Sequence, residues 1–125
     1  MIVLDASALL AFLFREPGGD RVAAVIEDAC ISAVNLSEVL GRFARDGHEP
    51  DAVFDRLAAT SLEIAPFGPE DALIAASLEP ITRPLGLSLG DRACLALAQS
   101  RKAVALTADR TWLKLKAGVR IECVR

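Results

Sequence analysis

Short, wholly apolar runs alternate along the chain with longer segments whose apolar positions recur at helical spacing. The runs at residues 2–4, 30–34 and 103–106 are apolar nearly throughout, which is typical of parallel strands buried on both faces. Weaker strand-like segments lie at 62–65, where a following proline favours a sheet edge, and at 119–124. The alternation of strand and helix predicts a parallel sheet with helices on both faces.

The segments between these strands predict helices. Asn35 is a candidate N-cap with Glu38 three residues later, and Ser88 is a candidate cap for a later helix. The expected helices span 7–14, 20–28, 35–45, 50–59, 69–78, 88–100 and 109–115, whereas residues 79–86, with two prolines and a glycine, predict a loop. We therefore expect a single domain over residues 1–125, a three-layer α/β/α fold around a central parallel sheet of four to five strands.

Four acidic residues stand where such a fold gathers side chains. Asp5 follows the first strand, Asp109 follows the 103–106 strand, and Glu38 and Asp91 lie at helix starts. In an open parallel sheet these places share one crevice beyond the carboxyl ends of the strands. Carboxylates gathered there repel each other by roughly 4 kcal/mol per pair at about 4 Å and an effective dielectric of about 20. A divalent cation in the crevice relieves that repulsion.

Each of these acids also has a simpler explanation. Asp5 and Asp109 could cap the helices that follow them, and Glu38 and Asp91 could be the third-residue partners in capping boxes. For any one residue the two interpretations are about equally good. Four caps have no reason to share one edge of a sheet, so the set as a whole favours a metal site.

Metal-assisted phosphodiester hydrolysis is the chemistry that such a set of acids suits. Mg²⁺ and Mn²⁺ prefer carboxylate and water oxygens, and one or two such ions activate a water and neutralise the leaving oxygen. Ser7, Thr107 and Asn35 are candidates to orient the acidic side chains, although a hydroxyl satisfied by a local turn explains the first two equally well.

Three arginines are candidates to hold a substrate phosphate. Arg42 lies four residues after Glu38, and Arg92 and Arg110 directly follow two of the other acids. An ordinary surface ion pair or a solvated charged face explains these positions at least as well.

Composition narrows the function further. The net charge of −3 gives no overall electrostatic footprint for nucleic acid, so binding of RNA must be local. A chain with one histidine and no tyrosine cannot cleave RNA with a pair of imidazoles. The 53% hydrophobic content, with a mean hydropathy of +0.38, indicates a sheet covered on both faces or an apolar surface for a partner.

The cysteines and the longest apolar run indicate a reduced, cytoplasmic protein. The three cysteines are odd in number and form no CxxC pair, so buried thiols are expected. The apolar run at 8–14 is too short to cross a bilayer, and no lysine or arginine precedes it as in a signal peptide.

Four segments carry a resemblance to a known family. Residues 2–10 (IVLDASALL), 31–39 (ISAVNLSEV), 89–98 (LGDRACLALA) and 106–112 (LTADRTW) resemble the four acidic motifs of PIN domains, in order along essentially the whole chain. The chain is similar in particular to bacterial VapC toxins of toxin–antitoxin modules. One such motif would be weak support, because a strand followed by an aspartate is common.

The resemblance implies a Mg²⁺- or Mn²⁺-dependent endoribonuclease. At the matched positions the family holds the metal with Asp5, Glu38, Asp91 and Asp109, with Ser7 and Thr107 nearby. It also implies a homodimer and inhibition by a small VapB-like antitoxin, whose amphipathic segment covers apolar surface of the toxin.

Two other interpretations of the sequence compete with an endoribonuclease. A haloacid-dehalogenase-like phosphatase also places an aspartate after its first strand, but it needs a second aspartate two residues later, where this chain has Ser7. A non-catalytic PIN-like module that only binds a partner is the alternative of a different class, and its behaviour should not depend on metal.

Overall fold

A five-stranded, all-parallel sheet forms the centre of the protein. The structure is a computed structural model and describes residues 1–125. The sheet has the order β3-β2-β1-β4-β5, and its strands are β1 (Ile2–Leu4), β2 (Ala29–Ser32), β3 (Glu63–Ala65), β4 (Val104–Thr107) and β5 (Ile121–Cys123). The α/β fold with a central parallel sheet is thus confirmed, and the weak 62–65 segment is an edge strand as expected.

Seven helices connect and cover the strands. They are α1 (Ala6–Leu13), α2 (Gly19–Ala23), α3 (Ala33–Arg45), α4 (Pro50–Ala58), α5 (Pro69–Ser77), α6 (Glu79–Thr82) and α7 (Leu89–Arg101), with 3-10 turns at Ile26–Asp28, Arg83–Leu85 and Arg110–Lys114. The longest helices, α3 and α7, have 13 residues each, and no helix has the length and apolarity that a membrane crossing requires.

The sheet separates two hydrophobic clusters, which gives three layers. Successive residues of β1 point to opposite faces, so Leu4 packs in the cluster with α1, α3 and α4, while Val3 packs in the cluster with α7. Cys30 and Cys94 are buried free thiols in the second cluster, as the composition predicts, and Cys123 is partly buried.

The segment predicted as a loop is helical, and that prediction is wrong. Residues 79–85 form α6 and the 3-10 turn Arg83–Leu85. The two prolines that suggested a loop lie in the first turns of these elements, where the missing N–H would have had no helical partner anyway. Gly86 ends the segment with a φ of +70°, a left-handed conformation that suits glycine.

Helix α3 begins two residues earlier than predicted. Its cap is Ser32, the last residue of β2, whose Oγ accepts a hydrogen bond from the N–H of Val34 at 3.2 Å. Asn35 is therefore not the N-cap, and the predicted capping box with Glu38 does not exist. The side chain of Asn35 is left to make other contacts.

Trp112 fixes the segment that follows Asp109, because its side chain is fully buried while its neighbour Leu113 is 49% exposed. We expect Trp112→Ala to lower the free energy of unfolding by about 3–5 kcal/mol through loss of packing. Leu113→Ala should change it by less than about 0.5 kcal/mol. Urea denaturation followed by circular dichroism measures both, and equal costs for the two variants would contradict this role for Trp112.

Candidate active site

The sheet topology brings the four acids to the carboxyl end of the strands. Asp5 directly follows β1, and Asp109 lies two residues beyond the adjacent strand β4. Helix α3, which starts where β2 ends, carries Glu38 on its second turn, and α7 brings Asp91 from the other layer. The ends of neighbouring parallel strands therefore supply part of the site, and helices α3 and α7 supply the rest.

Asp5 is held by two hydroxyls. Its side chain is 4% exposed, and its Oδ2 accepts hydrogen bonds from Ser7 Oγ at 2.6 Å and from Thr107 Oγ1 at 3.0 Å. Although Asp5 occupies the N-cap position of α1, its side chain makes no capping hydrogen bond. The simpler interpretation of Asp5 as a helix cap therefore does not hold.

The same two hydroxyls also fix the segment after β4. Ser7 Oγ accepts from the N–H of Ala108 at 2.9 Å, and Thr107 Oγ1 accepts from the N–H of Asp109 at 3.1 Å. The structure thus places Ser7 and Thr107 between Asp5 and the backbone of Asp109, where they tie two acidic positions together.

Glu38 is exposed as a residue, but its carboxylate contacts a buried amide. Its Oε1 accepts a hydrogen bond from Asn35 Nδ2 at 3.0 Å, and the same Nδ2 donates to the carbonyl oxygen of Gly90 at 2.9 Å. Asn35 is fully buried. It therefore contacts both the helix that carries Glu38 and the helix that carries Asp91.

Asp91 and Asp109 do cap their helices, as the simpler interpretation expects. Asp91 Oδ2 accepts from the N–H of Ser88 at 2.8 Å, and Ser88 Oγ accepts in return from the N–H of Asp91 at 3.2 Å. Asp109 Oδ1 accepts from the N–H and the hydroxyl of Thr111 at 2.9 and 2.7 Å. Capping uses one carboxylate oxygen in each case.

Every one of the four acids keeps its second oxygen without a hydrogen-bond donor from the protein. None of the four belongs to an ion pair, although eight ion pairs form elsewhere. The unpaired oxygens are Asp5 Oδ1, Glu38 Oε2, Asp91 Oδ1 and Asp109 Oδ2. The hydrogen bonds of the fold thus use one oxygen of each carboxylate, and the other oxygen is available to a ligand.

Burial and mutual repulsion raise the pKa of Asp5, Glu38 and Asp91. Burial raises the pKa of Asp5 to about 6, against the lowering effect of its hydrogen bond from Ser7, and the charges of Asp91 and Glu38 raise it further. Burial also raises the pKa of Glu38 and of Asp91; the charge of Asp91 adds to the first shift and that of Asp109 adds to the second. The charges of Asp5, Glu38 and Asp91 therefore act on one another, and the charge of Asp109 acts on Asp91.

A divalent cation fits this site by donor type and by charge. The unpaired oxygens are hard donors of the kind that Mg²⁺ and Mn²⁺ select, and the negative charge has no ion-pair partner. In their present conformations, however, no three acidic side chains converge closely enough to hold an ion. Binding one therefore requires rotation of side chains whose free oxygens are not tied to the protein.

The three candidate arginines make other contacts. Arg42 pairs with Asp46 at 3.3 Å. Its guanidinium also lies 4.8 Å from the ring centroid of Phe14. Arg92 pairs with Glu79 and is mostly buried. Arg110 is exposed and donates only to the carbonyl oxygen of Arg125 at 3.2 Å, so it is the least constrained of the three.

Sequence reasoning missed Gly90, whose contact with the site appears only in three dimensions. A Cβ built on Gly90 would overlap the carboxyl group of Glu38. The one feature of the sequence that could have indicated this contact is a glycine in the first turn of a predicted helix, where most other residues favour helix formation more.

The largest surface cavity lies away from the acids. It measures about 760 Å³ and is lined by the end of α1 and the start of α2. A separate groove of about 310 Å³ lies between α1, α3 and α4, and apolar side chains line most of it: Phe12, Leu13, Ile26, Phe43, Val53 and Leu57. None of the four acids lines either concavity.

The chain belongs to the PIN-domain family, whose model matches residues 2–118. This membership confirms the family resemblance of the four acidic motifs. No curated protein matches the chain by sequence.

Solved structures of similar fold include toxin–antitoxin complexes. A toxin–antitoxin complex from Klebsiella pneumoniae has a TM-score of 0.78 and 16% identity, over 100% of this chain and 98% of that one. DNA-bound VapBC from Salmonella typhimurium has a TM-score of 0.74 and 19% identity, over 99% and 98%. A VapBC-family member from Mycobacterium tuberculosis has a TM-score of 0.61 and 25% identity, over 98% and 96%.

The raised pKa of Asp5 predicts a pH-dependent stability in metal-free protein. Because the folded-state pKa of about 6 lies above the ordinary 3.8, the folded protein binds this proton more tightly than the unfolded chain does. The resulting stabilisation, up to about 3 kcal/mol, is present below pH ~4 and is lost as the pH rises through ~6. We expect Asp5→Asn to melt about 10 °C higher than wild type in EDTA near pH ~7.5.

The same comparison near pH ~4 should show little difference between the two proteins, because Asp5 is then protonated in the folded protein and only partly ionised in the unfolded chain. Thermal denaturation across this pH range measures the effect. A difference in melting temperature that stays constant with pH would contradict the burial effect assigned to Asp5.

Proposed function

We propose that this PIN-domain protein is a VapC-type toxin, a Mg²⁺- or Mn²⁺-dependent endoribonuclease that hydrolyses RNA phosphodiester bonds in the cytoplasm. One observation supports it most directly. Four carboxylates from four separate elements lie near the carboxyl ends of β1 and β4 without a cationic partner, and each keeps one oxygen free. Fold stability alone does not account for this repulsive arrangement, whereas cation binding does.

Asp5, Glu38, Asp91 and Asp109 are the residues that would hold the cation. When bound, a divalent ion supplies a Lewis acid that polarises a phosphoryl oxygen and makes water a better nucleophile. The hydroxyls of Ser7 and Thr107 hold the buried Asp5 carboxylate in place, so that this ligand is oriented before substrate arrives. Asn35 does the same for Glu38.

The side chains around the four acids provide few groups that could recognise the identity of an RNA base. The single histidine, His48, packs against the ring of Phe43 on α3 and is not part of the acidic cluster. Arg110 is the best-placed cation for a substrate phosphate, because it follows Asp109 and is exposed. A cation held by the carboxylates, together with an arginine, would recognise phosphate, so any preference for an RNA sequence must come from surfaces outside the site.

A VapB-like antitoxin is the partner that we propose for the apolar groove between α1, α3 and α4. The groove is lined by side chains such as Phe12, Phe43 and Val53 and is open to solvent, which suits the apolar face of an amphipathic segment. Several solved structures of similar fold are toxin–antitoxin complexes. We also propose that the protein forms a homodimer, as the family resemblance implies.

A non-catalytic PIN-like interaction module is the second candidate. The observation in its favour is that no three acids converge on one ion position. Two of the acids, Asp91 and Asp109, also have a structural use as caps. The dependence of activity on metal separates the two candidates.

We expect purified protein to cleave total RNA with Mn²⁺ or Mg²⁺ and to stop in EDTA. Asp91→Asn should reduce the cleavage rate by about 100-fold or more, because one cation ligand is lost. Asp71→Asn is a matched control, since Asp71 caps α5 through Gly68 in the same way but is not part of the site. Mapping of cut ends provides the measurement, and full activity in EDTA or in Asp91→Asn would refute the mechanism.

The partner proposal predicts that a small protein encoded by a neighbouring gene co-purifies with this chain and blocks cleavage. Val53→Lys places a charge in the apolar groove and should weaken that complex by about 10-fold or more. Leu73→Lys on α5, at a position that is 73% exposed, serves as the control. Binding titrations measure both, and equal effects of the two variants would place the partner elsewhere.

A further inference from the structure

Gly90 leaves a space that the Glu38 carboxyl group fills. Gly90 is a buried residue in the first turn of α7, and the two oxygens and the Cδ of Glu38 are the nearest atoms to the position of its missing Cβ. The contact joins residues 52 positions apart in sequence, on helices from different layers. Any side chain at position 90 would require Glu38 to move.

Asn35 holds both sides of this contact with one nitrogen. Its Nδ2 donates to Glu38 Oε1 and to the carbonyl oxygen of Gly90, and the residue is fully buried. If the amide were turned over, Oδ1 would face two acceptors, so the contacts fix its orientation. In the observed orientation Asn35 Oδ1 has no hydrogen-bond partner. Fold stability alone does not account for a buried amide that leaves its oxygen unsatisfied.

Helix formation does not explain a glycine at position 90. Glycine is a poorer helix former than alanine, and Gly90 has none of the positive φ values that favour glycine. Gly41 in α3 gives the contrast, because a Cβ there would meet no atom within 4 Å. The close approach of the Glu38 carboxylate is the feature that sets Gly90 apart.

We propose that Gly90 and Asn35 are positioning residues that set how closely the Glu38 carboxylate approaches Asp91 across the α3–α7 contact. The missing side chain provides the space, and the amide fixes where the carboxylate lies within it. The proposal rests on the cation-dependent function proposed above. It adds that Gly90, the sequence neighbour of the cation ligand Asp91, determines where a second ligand, Glu38, lies.

The variant Gly90→Ala tests this directly. The atoms that the new methyl group meets are the end of a flexible side chain, so Glu38 should rotate away and the fold should persist. We expect the dissociation constant for Mn²⁺, measured by calorimetry, to rise about 10-fold or more. Asn35→Ala should have a similar effect by removing the donor to Glu38. Gly41→Ala is the matched control and should leave Mn²⁺ binding unchanged.

A double-mutant cycle without metal tests the contact itself. In the Glu38→Ala background, Gly90→Ala should raise the melting temperature by about 3 °C, since alanine forms helix better and no carboxylate opposes the methyl group. With Glu38 present, the same substitution should give no rise or a fall. Gly41→Ala should give the same shift in both backgrounds.

The possible outcomes separate this proposal from the proposed function. Additive effects of Gly90→Ala and Glu38→Ala on metal-free stability would overturn the positioning role, whatever the metal does. Unchanged Mn²⁺ affinity in Gly90→Ala would overturn it as well. If wild type binds no Mn²⁺ but the cycle is non-additive, the contact is real, and the cation-dependent function and the positioning role both fail.

Discussion

Repulsion between carboxylates held at one edge of a parallel sheet is the interaction on which this site depends. The fold opposes it with hydrogen bonds to one oxygen of each acid: hydroxyls for Asp5, an amide for Glu38 and backbone N–H groups for Asp91 and Asp109. These bonds hold the groups in place without neutralising them. The remaining charge is an unfavourable feature of the free protein and a favourable one for binding a cation.

The sheet and the helices position different members of the acidic site. Strands β1 and β4 are adjacent and in register, so the hydroxyl of Thr107 reaches Asp5 through backbone pairing that is buried and rigid. Asp91 arrives on α7 from the other face, and its distance from Glu38 depends on how α3 and α7 pack. The first relation is set by the sheet, whereas the second is set by a few side-chain contacts, chiefly those of Asn35.

The sequence predicted the parts of the fold and site that follow from local pattern. Apolar runs located the strands within one or two residues, and the acids at strand ends and helix starts could be placed on one edge by topology alone. Asn35 was misassigned as a cap because β2 ends two residues before the apolar run does, and Ser32 takes the cap instead. The contact of Gly90 with Glu38 spans two layers, and no periodicity reports such a distance.

The capping bonds of Asp91 and Asp109 have a consequence for how motifs of this kind are interpreted in genomes. Both residues secure the start of their own helix, so selection for folding alone would preserve them after catalysis had been lost. A PIN-domain protein without nuclease activity would still display these two aspartates. Asp5, which caps no helix, and Glu38 would be the first to be substituted. Their loss is therefore the better indication that a protein of this fold has no activity.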